Sequence, residues 1–414
     1  MTLELAAPSR GIDAAPWLAP AAFWPALTAA TAHLPAPVGA LHLGALRHNA
    51  ADLVRRARGT PIRVASKSVR VREVIEAVLR VPGYRGVLAY TLAEAIWLAA
   101  TVDDVVVGYP TADRHALRRL ATDAGLAARI TIMVDSPAQL DLVDAVLPPS
   151  QREEIRVCLE LDASWHAPVL GHIGVRRSPV HHPGDAGALA AYIADRPGFR
   201  LVGVMAYEAQ IAGVLNRPQG RPVTGAVNRW MQGRSMPELV ARRTAAVAAV
   251  REHAALEFVN GGGTGSLEAT SADASVTEIG AGSGLFGGHL FDGYAHFTPA
   301  PAAAFALDVV RRPDRAHATV LGGGWIASGP PGGDRMPRPV WPAGLEYVER
   351  EGAGEVQSPL TGGAAAELEV GDRVWFRHTK SGELAEHLNE LQLVDDGAVV
   401  AGLPTYRGEG HAFL

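Results

Sequence analysis

Between about residue 38 and residue 290 the chain alternates two patterns. Short, nearly continuous apolar runs are followed by longer stretches in which apolar positions recur every three or four residues. Eight of the short runs read as strands: IRVAS (62–66), GVLAYT (86–91), DVVVGY (104–109), ITIMVD (130–135), IRVCLELD (155–162), RLVGVMAYE (200–208), LEFVNGGG (256–263) and VTEIGAG (276–282). Their lack of polar alternation is what parallel strands covered on both faces require. The intervening stretches SVRVREVIEAVLR, TLAEAIWLAATV, DRHALRRLATDAG, SPAQLDLVDAVL, GDAGALAAYIADR and SMPELVARRTAAVAAVREHA predict helices. Several of them open on the Ser, Thr or Asp that caps a helix N-terminus. ALHLG (40–44) leads into a further helical stretch, LRHNAADLVRRARG. Eight such units over about 250 residues predict an α/β fold, a (β/α)8 TIM-type barrel. A doubly wound open sheet is the second architecture the pattern allows.

After about residue 297 the helical period stops. Short strand-like runs (HATVLGG, DRVWFRH, ELQLV, AVVAG) sit among turns such as GPPGGD and RPVWPAG. That texture predicts a compact C-terminal β domain. The division expected is therefore an Ala/Pro-rich arm at 1–37, the barrel at 38–296 and the β domain at 297–414, the last packing on the barrel.

Composition narrows the functional classes. With 48% hydrophobic and 20% charged residues the chain is neither disordered nor fibrous. A net charge of −5 gives no pull toward nucleic acid or an anionic membrane. No apolar run approaches a membrane span, and the N-terminus lacks the pattern of a secretory signal. One cysteine, Cys158, excludes an internal disulfide framework and a multi-cysteine metal site. A cytoplasmic protein is expected, with a small molecule as its partner.

Only two lysines occur, Lys67 and Lys380, so arginine supplies nearly all the positive charge. Arginine replaces lysine freely on a surface, but a guanidinium cannot act as an amine nucleophile. Lys67 lies at the C-terminal end of the first barrel strand, the face on which barrels carry their chemistry. Two glycine-rich loops, GGGTGS (261–266) and GAGSG (280–284), follow the last two strands, where barrels commonly bind phosphate. Their glycines admit an anion close to the backbone, and Thr264, Ser266 and Ser283 add hydroxyls. Neither loop is a Walker loop or a dinucleotide fingerprint. An amine on strand one facing a phosphate cradle suits pyridoxal 5'-phosphate.

Five segments resemble the fold-type III pyridoxal-phosphate enzymes, the alanine racemase-like barrels, and within them the D-threonine aldolase and D-serine dehydratase group. They are LGALRHNAADLVRRA with the following ASK, TLAEA (91–95), LELD…GHIGV (159–175), VGVMAYEAQIAG (202–213), and NGGGTGS with EIGAGSGLFGGHLFDGY. The resemblance implies that Lys67 holds the cofactor. It implies that Tyr207, Gly262, Gly263, Thr264 and Gly265 bind it, with Gly282 and Ser283 opposite. It also implies a homodimer. Three positions depart from the group's pattern: His172 stands where arginine is usual, and Ala209 and Gln210 where glycine and histidine are frequent. The group binds a divalent metal, zinc or manganese, through paired ligands in the β domain. Here the nearest match is His387-Leu388-Asn389, which makes His387 and Asn389 the expected metal ligands, with His378 as an alternative ligand or base.

Glu208, His378 and Lys380 are the remaining candidates for catalysis beside Lys67. Each also has a plain reading, as a cap, a domain histidine and a turn lysine. The function expected is a pyridoxal-phosphate-dependent lyase on a β-hydroxy-α-amino acid, by retro-aldol cleavage or deaminating β-elimination. An amino-acid racemase, a non-catalytic cofactor carrier and a barrel enzyme for a phosphorylated sugar are the alternatives.

Overall fold

The structure is a computed structural model and describes residues 3–5, 15–330 and 332–414. Part of the expected N-terminal arm thus lies outside the described residues. The chain divides into two units. One comprises residues 53–67, 81–282 and 413–414, and the other residues 1–52, 68–80 and 283–412.

In chain order the strands begin with β1 (Val38–His42), β2 (Ile62–Ala65), β3 (Tyr84–Ala89), β4 (Val105–Val107), β5 (Ile130–Val134) and β6 (Ile155–Glu160). A hairpin of β7 (Trp165–Ala167) and β8 (Gly171–Ile173) follows, then β9 (Phe199–Ala206), β10 (Phe258–Gly261) and β11 (Glu278–Ala281). Strands β2, β3, β4, β5, β6, β9, β10 and β11 close into a parallel barrel, sealed where β11 pairs β2. These are the eight apolar runs, in the order the sequence presents them. The interior is apolar around Val106, Met133, Cys158, Val202, Met205 and Phe258. Burial pushes the Cys158 thiol well up, so it is an inert core group.

A buried ion pair sits inside this core. Arg63 on β2 is fully buried and held on two sides. Its Nε and Nη2 donate to Glu278 on β11 at 2.6 and 2.9 Å. Its Nη1 and Nη2 donate to Asp104 at 2.8 and 3.0 Å. A buried ion is tolerated only with such saturation.

The predicted caps form. Thr91 caps the helix Leu92–Leu98, accepting from Glu94 N, and Asp113 caps Arg114–Thr122. Asp123 then stops that helix and caps a separate one, Ala124–Arg129, so one predicted helix is two. After β9 a short helix, Ala209–Ala212, precedes a long one, Pro222–Arg251, which starts well upstream of the periodic stretch that predicts it, with Pro222 in its first turn.

The second unit contains β12 (Ala303–Asp314), β13 (His317–Leu321), β14 (Arg338–Trp341), β15 (Glu346–Tyr347), β16 (Gln357–Thr361), β17 (Arg373–Arg377), β18 (Glu390–Asp395) and β19 (Ala398–Pro404). They form a nine-stranded sheet with β1. Strand β1 falls inside the stretch assigned to the barrel, yet it pairs β12 antiparallel and β18 parallel. Part of the arm is also ordered: the helix Pro20–Thr31 buries Phe23, Trp24 and Leu27, and Trp24 packs 6.0 Å from Trp375. Among the described residues no helix is long and apolar enough to cross a membrane.

Candidate active site

Lys67 follows β2 in a single turn, Ser66–Ser68, and is exposed at the C-terminal end of the strand. Its Nζ donates to the Tyr109 hydroxyl at 3.1 Å. Tyr109 comes from the loop after β4 and is half-buried. The Arg177 guanidinium lies 5.3 Å from the Tyr109 ring centre and 4.8 Å from that of Tyr207, which follows β9. A Cβ placed on Gly263 would stand 3.4 Å from the Tyr207 ring. Tyr109, Arg177 and Tyr207 therefore form a row of neighbouring groups between the lysine and the first glycine-rich loop.

Charge shapes this mouth. Burial works to raise the Tyr109 phenol, but the Lys67 and Arg177 charges outweigh it and hold it below its ordinary value. Burial raises the Tyr207 phenol, so it stays neutral. Glu160, the last residue of β6, is pushed up to about 7 by burial against the counter-pull of Arg177, with Asp135 and Asp162 adding to the rise. A carboxyl that changes charge near neutrality in such a place is a candidate proton carrier. The sequence reading passes over it, although it lies within LELD.

The loop after β10 is built to stay fixed. Gly262 adopts φ +76°, a conformation costly for any residue with a Cβ. Its N–H donates to Glu208 Oε2 at 3.0 Å. Gly263 N–H donates to Ser266 Oγ at 3.2 Å, and the Thr264 carbonyl accepts from Arg56 Nη2 at 2.8 Å. Thr264 itself is buried. At Gly282, after β11, a Cβ would run into the Ala65 carbonyl, so only glycine fits beside β2. Ser283 follows in the next turn, half-buried.

Glu208 is where the expectation changes. It is fully buried beneath the loop, where it accepts from Gly262 N–H, the Thr270 hydroxyl and the Ser266 hydroxyl and pairs with buried Arg243. Arg243 is itself held by Asp273 at 2.7 Å. A carboxylate so saturated is a positioning group for the loop rather than a base reaching substrate. Arg243, Arg56 and Asp273 are not signalled by the sequence, because they reach the loop from distant positions.

The candidates in the second unit have local partners of their own. His378 is buried beside Ser381 Oγ at 3.1 Å, and burial pushes it down to about 3, so it stays neutral. That suits a core histidine and not a proton shuttle. Lys380 precedes the helix Ser381–His387 and donates to the Ser328 carbonyl at 2.6 Å. Of the expected metal pair, His387 is exposed with its ring stacked 5.0 Å from Trp325, and Asn389 is exposed, its backbone carbonyl accepting from Thr405 N–H. Among the described residues the one group of three side chains placed to hold a metal lies elsewhere, at Asp162, His166 and His172.

The loops and Lys67 fit a phosphorylated aldehyde: an amine stands at one side of the mouth, and a glycine cradle with no room for side chains at Gly262 and Gly282 stands at the other. Comparisons with known proteins give the family and the fold. No curated protein matches the chain by sequence. Among solved structures, the D-threonine aldolase of Filomicrobium marinum superposes with a TM-score of 0.71 at 22% identity, covering 91% of this chain and 96% of its own. The D-threo-3-hydroxyaspartate dehydratase of Delftia sp. HT23 gives 0.67 at 20%, covering 90% and 97%. The alanine racemase of Corynebacterium glutamicum gives 0.55 at 18%, covering 85% and 96%. A model of the alanine racemase N-terminal domain matches residues 41–289, more than half of the chain. The chain belongs to that family and has the fold of the alanine racemase-like, fold-type III pyridoxal-phosphate enzymes.

Proposed function

We propose that the protein is a pyridoxal-phosphate-dependent lyase for β-hydroxy-α-amino acids. One observation carries the cofactor reading: the row of neighbouring groups Lys67–Tyr109–Arg177–Tyr207 sets a lone barrel lysine at one side of the mouth and the hydrogen-bonded glycine loop beside Tyr207 at the other. The lyase reading is supported by its neighbours. The aldolase and the dehydratase superpose more closely than the racemase and over nearly their whole lengths.

In this scheme Lys67 holds the cofactor's aldehyde carbon. The backbone of Gly262, Gly263 and Gly265, with the Thr264 hydroxyl, carries its phosphate, and Gly282 and Ser283 line the other side. When bound, the cofactor supplies an electron sink for the bond broken at the substrate's Cα. Tyr109 orients the Lys67 amine through the 3.1 Å contact. Arg177, between two aromatic rings, presents a fixed positive charge to an anionic substrate group. Glu160 holds a proton up to about pH 7 and can exchange it at the mouth. Glu208 keeps the cradle in place.

The test is borohydride reduction of the cofactor-loaded protein, peptide mapping, and assays of aldehyde and keto acid with D- and L-threonine and serine. The expected results are an adduct on Lys67 and product from a β-hydroxy substrate. Lys67→Ala should abolish the adduct and lower turnover by at least about a thousandfold. An adduct on Lys380, or none, defeats the cofactor reading. An adduct on Lys67 with inversion of configuration and no cleavage defeats the lyase reading alone.

A further inference from the structure

We propose that Asp162, His166 and His172 form a divalent metal site of zinc type in the connection between β6 and the helix Pro183–Ala194. Asp162 lies two residues beyond β6, at the same end of the barrel as Lys67. The two histidines sit on the β7–β8 hairpin that the connection inserts.

The hairpin register makes the pair. His166 and His172 are directly opposed across the antiparallel strands, which puts both side chains on one face. His172 Nδ1 and His166 Nε2 stand 3.2 Å apart. Zinc bonds nitrogen at about 2.0–2.1 Å with tetrahedral angles, so two imidazole ligands of one ion lie roughly 3.3 Å apart. One donor atom from each of Asp162, His166 and His172 falls within 4.8 Å of the others.

The surroundings fix this set in place. The Asp162 carboxylate is buried and accepts from Ser164 N at 3.0 Å and from Ser164 Oγ at 2.5 Å. His181 Nδ1 meets Asp162 Oδ2 at 2.9 Å, and the His181 ring stacks on His166 at 3.9 Å with 7° between the planes. Partners of this kind orient metal ligands from outside.

The donor set decides the ion. Two imidazoles and one carboxylate favour zinc or cobalt over calcium or magnesium, which prefer oxygen. Three protein ligands leave a coordination position for water or a substrate oxygen. The site stands independently of the lyase reading, since its test measures bound metal.

The experiment strips the cofactor-loaded protein with a chelator and titrates it with zinc against a chromophoric competitor, reading stoichiometry by mass spectrometry. One zinc per chain is expected. His172→Gln and His166→Gln should each weaken zinc by about a hundredfold, whereas His387→Ala should leave it unchanged. Cobalt loading should give the intense visible bands of four-coordinate metal, and His172→Gln should remove them. Unchanged circular dichroism and unfolding midpoint in the metal-stripped variants identify ligand loss as the cause. Absence of stoichiometric zinc at micromolar free metal overturns the site. So does retention of zinc in the His166/His172 double variant, or its loss in His387→Ala.

Discussion

Two glutamates on neighbouring strands show how one residue type takes different roles. Glu160 ends β6 and Glu208 follows β9, and these strands are paired, with Glu160 opposite Met205. Both carboxyls are buried. Glu208 is met by a backbone N–H, two hydroxyls and a guanidinium. For Glu160 no hydrogen bond to the carboxyl is found among the described residues, and the Arg177 charge only partly offsets its burial. Donors turn the first into a fixed anchor. Their scarcity leaves the second able to gain or lose a proton near neutrality. Burial alone does not mark a catalytic acid; the donors around it decide.

The sharpest way to break this contrast is to remove the anchor. Glu208→Ala leaves the Gly262 N–H and the Thr270 hydroxyl without their acceptor and Arg243 with Asp273 as its one carboxylate, and should destabilise the fold by about 3–5 kcal/mol. Thermal unfolding checks the loss, and weakened cofactor retention should accompany it. If Glu208→Ala unfolds like the parent protein, the anchoring role is wrong.

The Glu160 prediction depends on pH. Its folded value is raised from the ordinary 4.5 to about 7. The folded protein therefore binds the extra proton between these values, and Glu160 erodes stability as pH rises through them. Above pH 7 the penalty is complete, about 3 kcal/mol at most. Glu160→Gln should thus match the parent near pH 4 and exceed it at pH 8, which denaturant titrations at both values will read. In the proposed reaction the same variant should flatten the limb of the kcat/KM profile near pH 7. A limb that persists assigns that titration to another group.

The smallest effect belongs to Ser266→Ala. It removes the acceptor for Gly263 N–H and a weak contact to Glu208, and should cost about 1 kcal/mol. Glu208→Ala should far exceed it; near-equality of the two would mean that the serine, and not the glutamate, supports the loop.

What the sequence revealed follows from the range of the interactions. The eight barrel strands were legible because a strand covered on both faces is apolar at every position. Lys67 stood out as a candidate because arginine supplies nearly all the other positive charge. The glycine loops were legible because backbone without Cβ has a spelling of its own. The roles of Glu208 and Arg243 were not, since their contacts join residues tens of positions apart. His378 looked reactive until its burial was known. The β7–β8 hairpin escaped notice because three-residue strands are too short to show a period.

The ion pair between Arg63 and Glu278 spans the seam where the last barrel strand meets the first. More than two hundred residues separate the partners along the chain. During synthesis Arg63 therefore meets Asp104 early but leaves the ribosome long before Glu278, the carboxylate on its other side. Until the final strand arrives, the ring is an open sheet with a half-paired guanidinium at its edge. A translation product ending before residue 278 cannot close, and should be a ready substrate for chaperones and proteases.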